Sequence, residues 1–241
     1  MTETNLIVLI LLVLFLTTFV RSTLGFGDAL IGMPLITWIA GIRVATPLLA
    51  LAASVIAALI LLRSRRQVRL GDAWRLILAT LLGIPLGLWA LNDLPEALVK
   101  SILGVLIALF GLYHLLKPQL PELRGDGWAW PFGFFAGILG GAYNTNGPPV
   151  VVYGVMRRFP AENFRATLQA YFFLTNWLIL AGHAAAGLWT GEVLRLFAFS
   201  LPVLGLGVAA GEIANRRIAD KGRFNQVVYA ALVVMGVLLV V

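Results

Sequence analysis

The chain of 241 residues contains no cysteine, only two histidines, and charged residues at 12% of its length. Without cysteine there is no disulfide and no thiolate metal site, an absence that says nothing about compartment. His114 and His183 lie far apart, and no His-Glu-x-x-His or Gly-x-Ser-x-Gly motif occurs. A metalloenzyme or an intramembrane protease would lack its parts, so we read no enzyme, no metal and no cofactor. The scarcity of charge excludes an ordinary soluble domain, in which about a quarter of residues are charged. What fills the chain is apolar: 60% hydrophobic residues and a mean hydropathy of +0.93.

Apolar runs close to the roughly 20 residues that cross a bilayer recur along the whole length, so residues 1–241 read as one transmembrane domain. Hydrocarbon cannot satisfy a bare backbone, which leaves helices or a closed barrel, and long unbroken runs select helices. The expectation is an all-α, multi-pass protein of the cell inner (plasma) membrane, with the lipid bilayer as its first partner. The net charge of +7 gathers in short loops, as topology signals do, and implies no nucleic acid. The N-terminus lacks a basic n-region and a small-residue cleavage site, so its apolar run reads as a retained first segment.

Hydrophobic stretches fall at 5–42, 44–62, 73–91, 97–116, 128–156, 165–187, 193–214 and 224–241. The first and fifth are too long for one span. Each is interrupted, by Leu24-Gly25-Phe26-Gly27-Asp28 and by Asn144-Thr145-Asn146-Gly147-Pro148-Pro149. Each therefore predicts a broken helix, either a re-entrant hairpin or two short spans, for 8–10 helices in all. Gly71-Asp72-Ala73-Trp74-Arg75-Leu76 also reappears as Gly191-Glu192-Val193-Leu194-Arg195-Leu196, and Ala45-Thr46 echoes Ala166-Thr167. The chain reads as two repeats of four segments, 1–117 and 127–241.

Loop charge orients them. The first repeat places Arg63, Arg65, Arg66 and Arg69 between its second and third segments, where the second repeat has no basic residue. The second places Arg216, Arg217, Lys221 and Arg223 between its third and fourth, where the first has Asp93 and Glu96. If the broken segments return to the side they entered from, Arg157, Arg158, Arg165, Arg216, Arg217, Lys221 and Arg223 all fall on the cytoplasmic side with the first arginine loop. Parity then favours inverted repeats with both termini outside.

The glycine break Gly25-Phe26-Gly27 followed by Pro34-Leu35, its counterpart Gly140-Gly141 with Gly147-Pro148-Pro149-Val150-Val151-Val152-Tyr153, and the arginine-rich loop together resemble the sulfite exporter TauE/SafE (TSUP) family of membrane transporters, across the whole chain. The resemblance implies secondary transport of sulfite, sulfonates or related small anions, often as export and frequently coupled to protons. Asp28 and Asn144-Thr145-Asn146 stand where that family usually has small residues.

A resumed half-helix aims its partly positive N-terminus at the break, where an anion fits. Asn146 reads as an N-cap and Pro148 as a first-turn residue. The alternative is that glycine and proline there only permit a kink. Arg21, costly inside a bilayer, needs a partner or a wet cavity; it faces a sulfonate's oxygens, or it pairs structurally with Asp28, or it sits nearer an interface and snorkels. Asp28 reads as the proton-coupling group and as a helix N-cap. The candidate substrate site is thus Arg21, Gly25, Gly27, Tyr143, Asn144, Thr145, Asn146 and Gly147, with Tyr143, Asn144, Thr145 and Asn146 equally able to satisfy a non-helical backbone. Gln169 and Asn176, seven apart, read as helix-joining residues, and His183 as a packed histidine. Gly83-x-x-x-Gly87 and Gly207-x-x-x-Gly211 read as close helix contacts, within one chain or in a homo-oligomer. The reading is a proton-coupled secondary transporter of small sulfur oxyanions; the alternatives are a passive anion channel and, third, a membrane scaffold.

Overall fold

The computed structural model describes residues 3–64, 68, 70–116, 120–159, 161–217 and 221–240. Arg65, Arg66 and Arg69 of the first arginine loop lie outside them. The described residues form ten α-helices and one 3-10 turn, with no strand: α1 Glu3–Leu24, α2 Asp28–Ala40, α3 Ile42–Ser64, α4 Leu70–Asp93, α5 Glu96–Leu116, α6 Ala129–Tyr143, α7 Gly147–Met156, α8 Ala161–Ala185, α9 Gly191–Arg217 and α10 Lys221–Val240. Five of them, α1, α3, α4, α5 and α9, are long and apolar enough to cross a membrane. The fold class is all-α and polytopic.

Both expected breaks are present. Gly25 and Gly27 end α1 with φ of 96° and 105°, a left-handed backbone that a side chain would strain, and Asn144 ends α6 at φ 52°. After the first break α2 folds back along α1, so that Gly27 sits by Val20 and Gly32 by Thr17. After the second, α7 folds back along α6: Gly140 meets Asn146, and the rings of Phe132 and Tyr153 lie 5.6 Å apart. Both broken segments are helical hairpins. Their return arms have 13 and 10 residues, about 20 and 15 Å, too short for a hydrocarbon core of about 30 Å.

Small residues set the packing. A Cβ at Gly83 would lie 2.2 Å from the Phe134 carbonyl oxygen, and one at Gly137 2.2 Å from that of Thr80, so α4 and α6 touch backbone to backbone. Gly207 and Gly211 of α9 meet Thr18, Phe19 and Ser22 of α1 in the same way. Both glycine pairs singled out in the sequence are contacts within one chain. Without a hydrophobic drive between helices in lipid, this close approach is what holds them together.

The neighbours exchange between the halves. α4 lies parallel to α6 and α9 parallel to α1; α3 packs on α9 and α8 on α4; α5 packs on α10 and α3 on α8. Gly111 meets the Tyr229 carbonyl while Gly236 meets that of Gly104, contacts that make α5 and α10 antiparallel. Ion pairs repeat too, Arg75 with Asp126 at the start of α6 and Arg195 with Glu3 at the start of α1.

The outside of the bundle is oily, with Leu12, Leu82, Phe135 and Leu206 among its exposed side chains, while Arg21, Asp28, Gln169 and Asn176 are buried. That is the reverse of a water-soluble protein. All seven tryptophans are exposed; Trp74, Trp128 and Trp130 lie near one end of the bundle and Trp38, Trp89 and Trp189 near the other, as interfacial belts do.

Candidate functional site

The two hairpin tips meet halfway through the bundle. Between them lies a small cavity, walled by Arg21, Phe26, Gly27 and Asp28 of the first tip and by Asn144, Thr145, Asn146 and Gly147 of the second. Ala29 and Leu30 of α2, Pro148 of α7, Ala53 in the middle of α3, and Phe172 and Asn176 of α8 complete the wall. Seven of the nine residues expected from the sequence therefore share one cavity. The other two do not line it: the Gly25 carbonyl is turned to Gln169, and Tyr143 is packed in the apolar core.

Arg21 sits on the last turn of α1, 1% exposed. Its Nη1 donates to Asp28 Oδ2 at 2.6 Å and its Nη2 to Gln169 Oε1 at 3.0 Å. The Phe172 ring covers the guanidinium at 4.9 Å, a cation–π contact sheltered from solvent. Nε has no hydrogen-bond partner among the described residues. Burying a cation without a partner is costly, and here the partner is a carboxylate seven residues on, brought back by the turn at Gly25 to Gly27. Asp28 is 7% exposed, so the pair is close to isolated from water.

The helix starts differ from the capping expected. Asp28 is the first residue of α2 rather than its cap; Gly27 holds the cap position, and the Asp28 carboxylate is committed to Arg21. Asn146 holds the cap position of α7, but its side chain makes no cap bond and instead donates from Nδ2 to Thr175 Oγ1 at 3.2 Å. Pro148 and Pro149 fill the first turn of α7, where a missing N–H costs nothing, and in consequence α7 offers few backbone donors. The N-terminus of α2 has no such gap: its first N–H groups have no intrahelical acceptor and carry the positive end of the helix dipole. Thr145 gives its hydroxyl proton to the Tyr143 carbonyl at 2.9 Å, which leaves its oxygen as an acceptor.

Gln169 and Asn176, read from the sequence as helix-joining residues, do join helices, and both also reach the site. Gln169 is fully buried and, besides receiving Arg21, donates from Nε2 to the Gly25 carbonyl at 2.6 Å. Asn176 lines the cavity while donating to the Ala50 carbonyl at 2.8 Å and to Ser54 Oγ at 2.6 Å, which joins α8 to α3. Their spacing of seven on one helix was the available signal. His183 is buried near the end of α8, away from the cavity wall. His114 packs among Phe26, Phe110, Tyr113 and Tyr229 and does not line the cavity. Among the described residues no three His, Asp or Glu side chains cluster as a metal site.

Comparison with known proteins agrees with this architecture of a membrane bundle. Residues 10–239 match the sulfite exporter TauE/SafE family. The probable sulfite/organosulfonate exporter TauE of Cupriavidus necator is 27% identical over 146 residues, a stretch covering 57% of this chain and 57% of that protein. The chain thus aligns with little more than half the length of that relative. No solved structure matches.

Proposed function

The chain belongs to the sulfite exporter TauE/SafE family, a family of exporters rather than enzymes, and from that premise we propose that it carries a small sulfur oxyanion, sulfite or an organosulfonate, by proton-coupled secondary transport. The observation that carries the reading is the Arg21–Asp28 pair on the wall of a cavity between two helix breaks. The name of the Cupriavidus necator relative supports the substrate class.

Asp28 sits where a substrate anion would bind. With Arg21 charged and Asp28 ionised the empty cavity is neutral. An anion added to that pair leaves an uncompensated negative charge in a low-dielectric site, which is unfavourable. A proton on Asp28 removes the competing carboxylate, Nη1 of Arg21 becomes free to bind the anion, and the loaded cavity is neutral again. If only neutral cavities change sides, one proton moves with each monovalent anion. One unit of inward pH gradient then offsets a tenfold outward anion gradient, and export proceeds when the anion gradient is the larger.

Two inverted repeats, 1–117 and 127–241, belong to this reading. The exchanged neighbours and the antiparallel α5 and α10 support it. Arg75, Arg124, Arg157, Arg158, Arg216 and Arg217 lie at one end of the bundle against Arg43, Lys100 and Arg195 at the other, which supports a cytoplasmic face at the first end and both termini outside. The membrane is the cell inner membrane.

Reconstituted vesicles test the proposal. Labelled sulfite or methanesulfonate should accumulate in response to an imposed pH gradient, saturably, and Arg21→Gln should abolish uptake. Saturable uptake indifferent to the pH gradient would remove Asp28 from coupling. Conductance of single-channel size would favour the passive anion channel.

A further inference from the structure

Three polar groups on α8 serve the cavity, and they do different things. Thr175 receives the tip of the second hairpin through Asn146, and Asn176 ties α8 to α3. Gln169 holds the first tip at two points, Arg21 Nη2 and the Gly25 carbonyl. Those two partners fix its amide in one sense: turned over, its NH₂ would face the guanidinium and its oxygen would face a carbonyl. Offset by 121, as Ala45-Thr46 is from Ala166-Thr167, the position equivalent to Gln169 is Leu48, which offers no amide. The clamp is therefore one-sided, an asymmetry that packing between repeats does not require.

Arginine reaches its partners through a long flexible stem, and Asp28 alone would fix one of its nitrogens. With Nη2 held by Gln169 and the ring of Phe172 across its face, the guanidinium keeps its position when Asp28 lets go. Nη1 and the unpartnered Nε are then the donors left for an oxyanion. We propose that Gln169 is the positioning residue for Arg21: it holds the guanidinium in place when Asp28 is released and presents it to the anion. The inference rests on the reading of Arg21 as the anion's partner. Arg21 and Asp28 are the charged side chains on the cavity wall; α3 faces it with Ala53, α8 with Phe172 and Asn176, and the second tip with Asn144, Thr145 and Asn146.

The test uses detergent-purified full chain, with binding read as thermal stabilisation by sulfite and by methanesulfonate, whose charge does not change between pH 5 and 8. Gln169→Leu should bind either anion about tenfold or more weakly at every pH, the loss expected when a hydrogen bond to a charged group goes. Gln169→Glu, nearly isosteric, adds a second carboxylate to Arg21. Its binding should fail at neutral pH and return toward pH 5, a shift of profile that a merely structural role would not produce. In an Arg21→Gln background, Gln169→Leu should change anion binding no further, whatever it does to stability. Wild-type affinity and pH profile in both single variants, or additive losses in the double one, would overturn the role of Gln169 alone. A wild type stabilised by neither anion and transporting neither would remove the transport reading and this inference together. A wild type that binds but does not transport would leave Gln169 in place and remove only the carrier.

Discussion

Asp28→Asn tests the charge logic of the cavity most directly. Arg21 and Asp28 meet at 2.6 Å with side chains 2% and 10% exposed, so removing the carboxylate leaves a buried cation. Loss of one partner from such a pair costs about 3–5 kcal/mol. The asparagine oxygen can still accept from Nη1, and Gln169 and Phe172 stay in place, so we expect the low end, about 3 kcal/mol. For a chain of this length that corresponds to a fall of about 6–12 °C in the unfolding midpoint. A bound anion should repair the deficit. At a hundred times its dissociation constant it restores about 2.7 kcal/mol, nearly the whole loss. The wild type at neutral pH should gain less from the same anion concentration, because the anion must first displace Asp28. The assay is thermal unfolding of purified protein with and without sulfite, for wild type, Asp28→Asn, Arg21→Gln and the double variant. Two results would refute the reasoning: Asp28→Asn at least as stable as wild type without anion, or anion stabilisation no larger in the variant than in the wild type.

Other expectations follow from the packing. Gly83→Ala and Gly137→Ala each push a methyl to 2.2 Å from a backbone carbonyl, so α4 and α6 must separate and little monodisperse protein should be recovered on size exclusion; Gly205→Ala, which meets nothing within 4 Å, should be recovered like wild type. Tyr171→Phe removes the buried 2.7 Å bond to Thr80, whose hydroxyl still donates to the Gly133 carbonyl, and should lower stability by about 0.5–1.5 kcal/mol, measured by the same thermal unfolding. Glu3→Gln breaks an exposed pair with Arg195 and should cost about 1 kcal/mol or less, with the difference vanishing in high salt. Because the chain has no cysteine, single introduced thiols report orientation: Trp189→Cys should react with an impermeant maleimide in intact cells, and Arg216→Cys only after lysis.

Much of the fold was legible because bilayer thickness converts apolar run length into helices. The stretch 5–42 is too long for one span, and the structure breaks it at Gly25 to Gly27; the stretch 128–156 breaks at Asn144 to Asn146. That the breaks are hairpins was not legible, since two short spans have the same length and the same parity. It took the contacts of Gly32 with Thr17 and of Phe132 with Tyr153 to show the arms folding back. The site divides likewise. Arg21 and Asp28 announced themselves as charges in a greasy run, whereas Gln169, 148 residues away from Arg21, looked like any polar residue on a membrane helix. Gly25 and Tyr143 were named by their place in the breaks, and not every residue of a break lines the cavity.

Composition and spacing by themselves determined that this is an all-α membrane protein with two interrupted segments and one intramembrane arginine in need of a partner, because burial in hydrocarbon penalises bare backbone and lone charge wherever they occur. Tertiary structure alone decided what that arginine meets. The fold-back at Gly27 supplies Asp28, and α8, crossing between the two tips, supplies Gln169 and Phe172. Such contacts depend on how helices distant in sequence lie against one another, and the hydrophobic pattern of each helix, taken singly, is the same whichever neighbour it acquires.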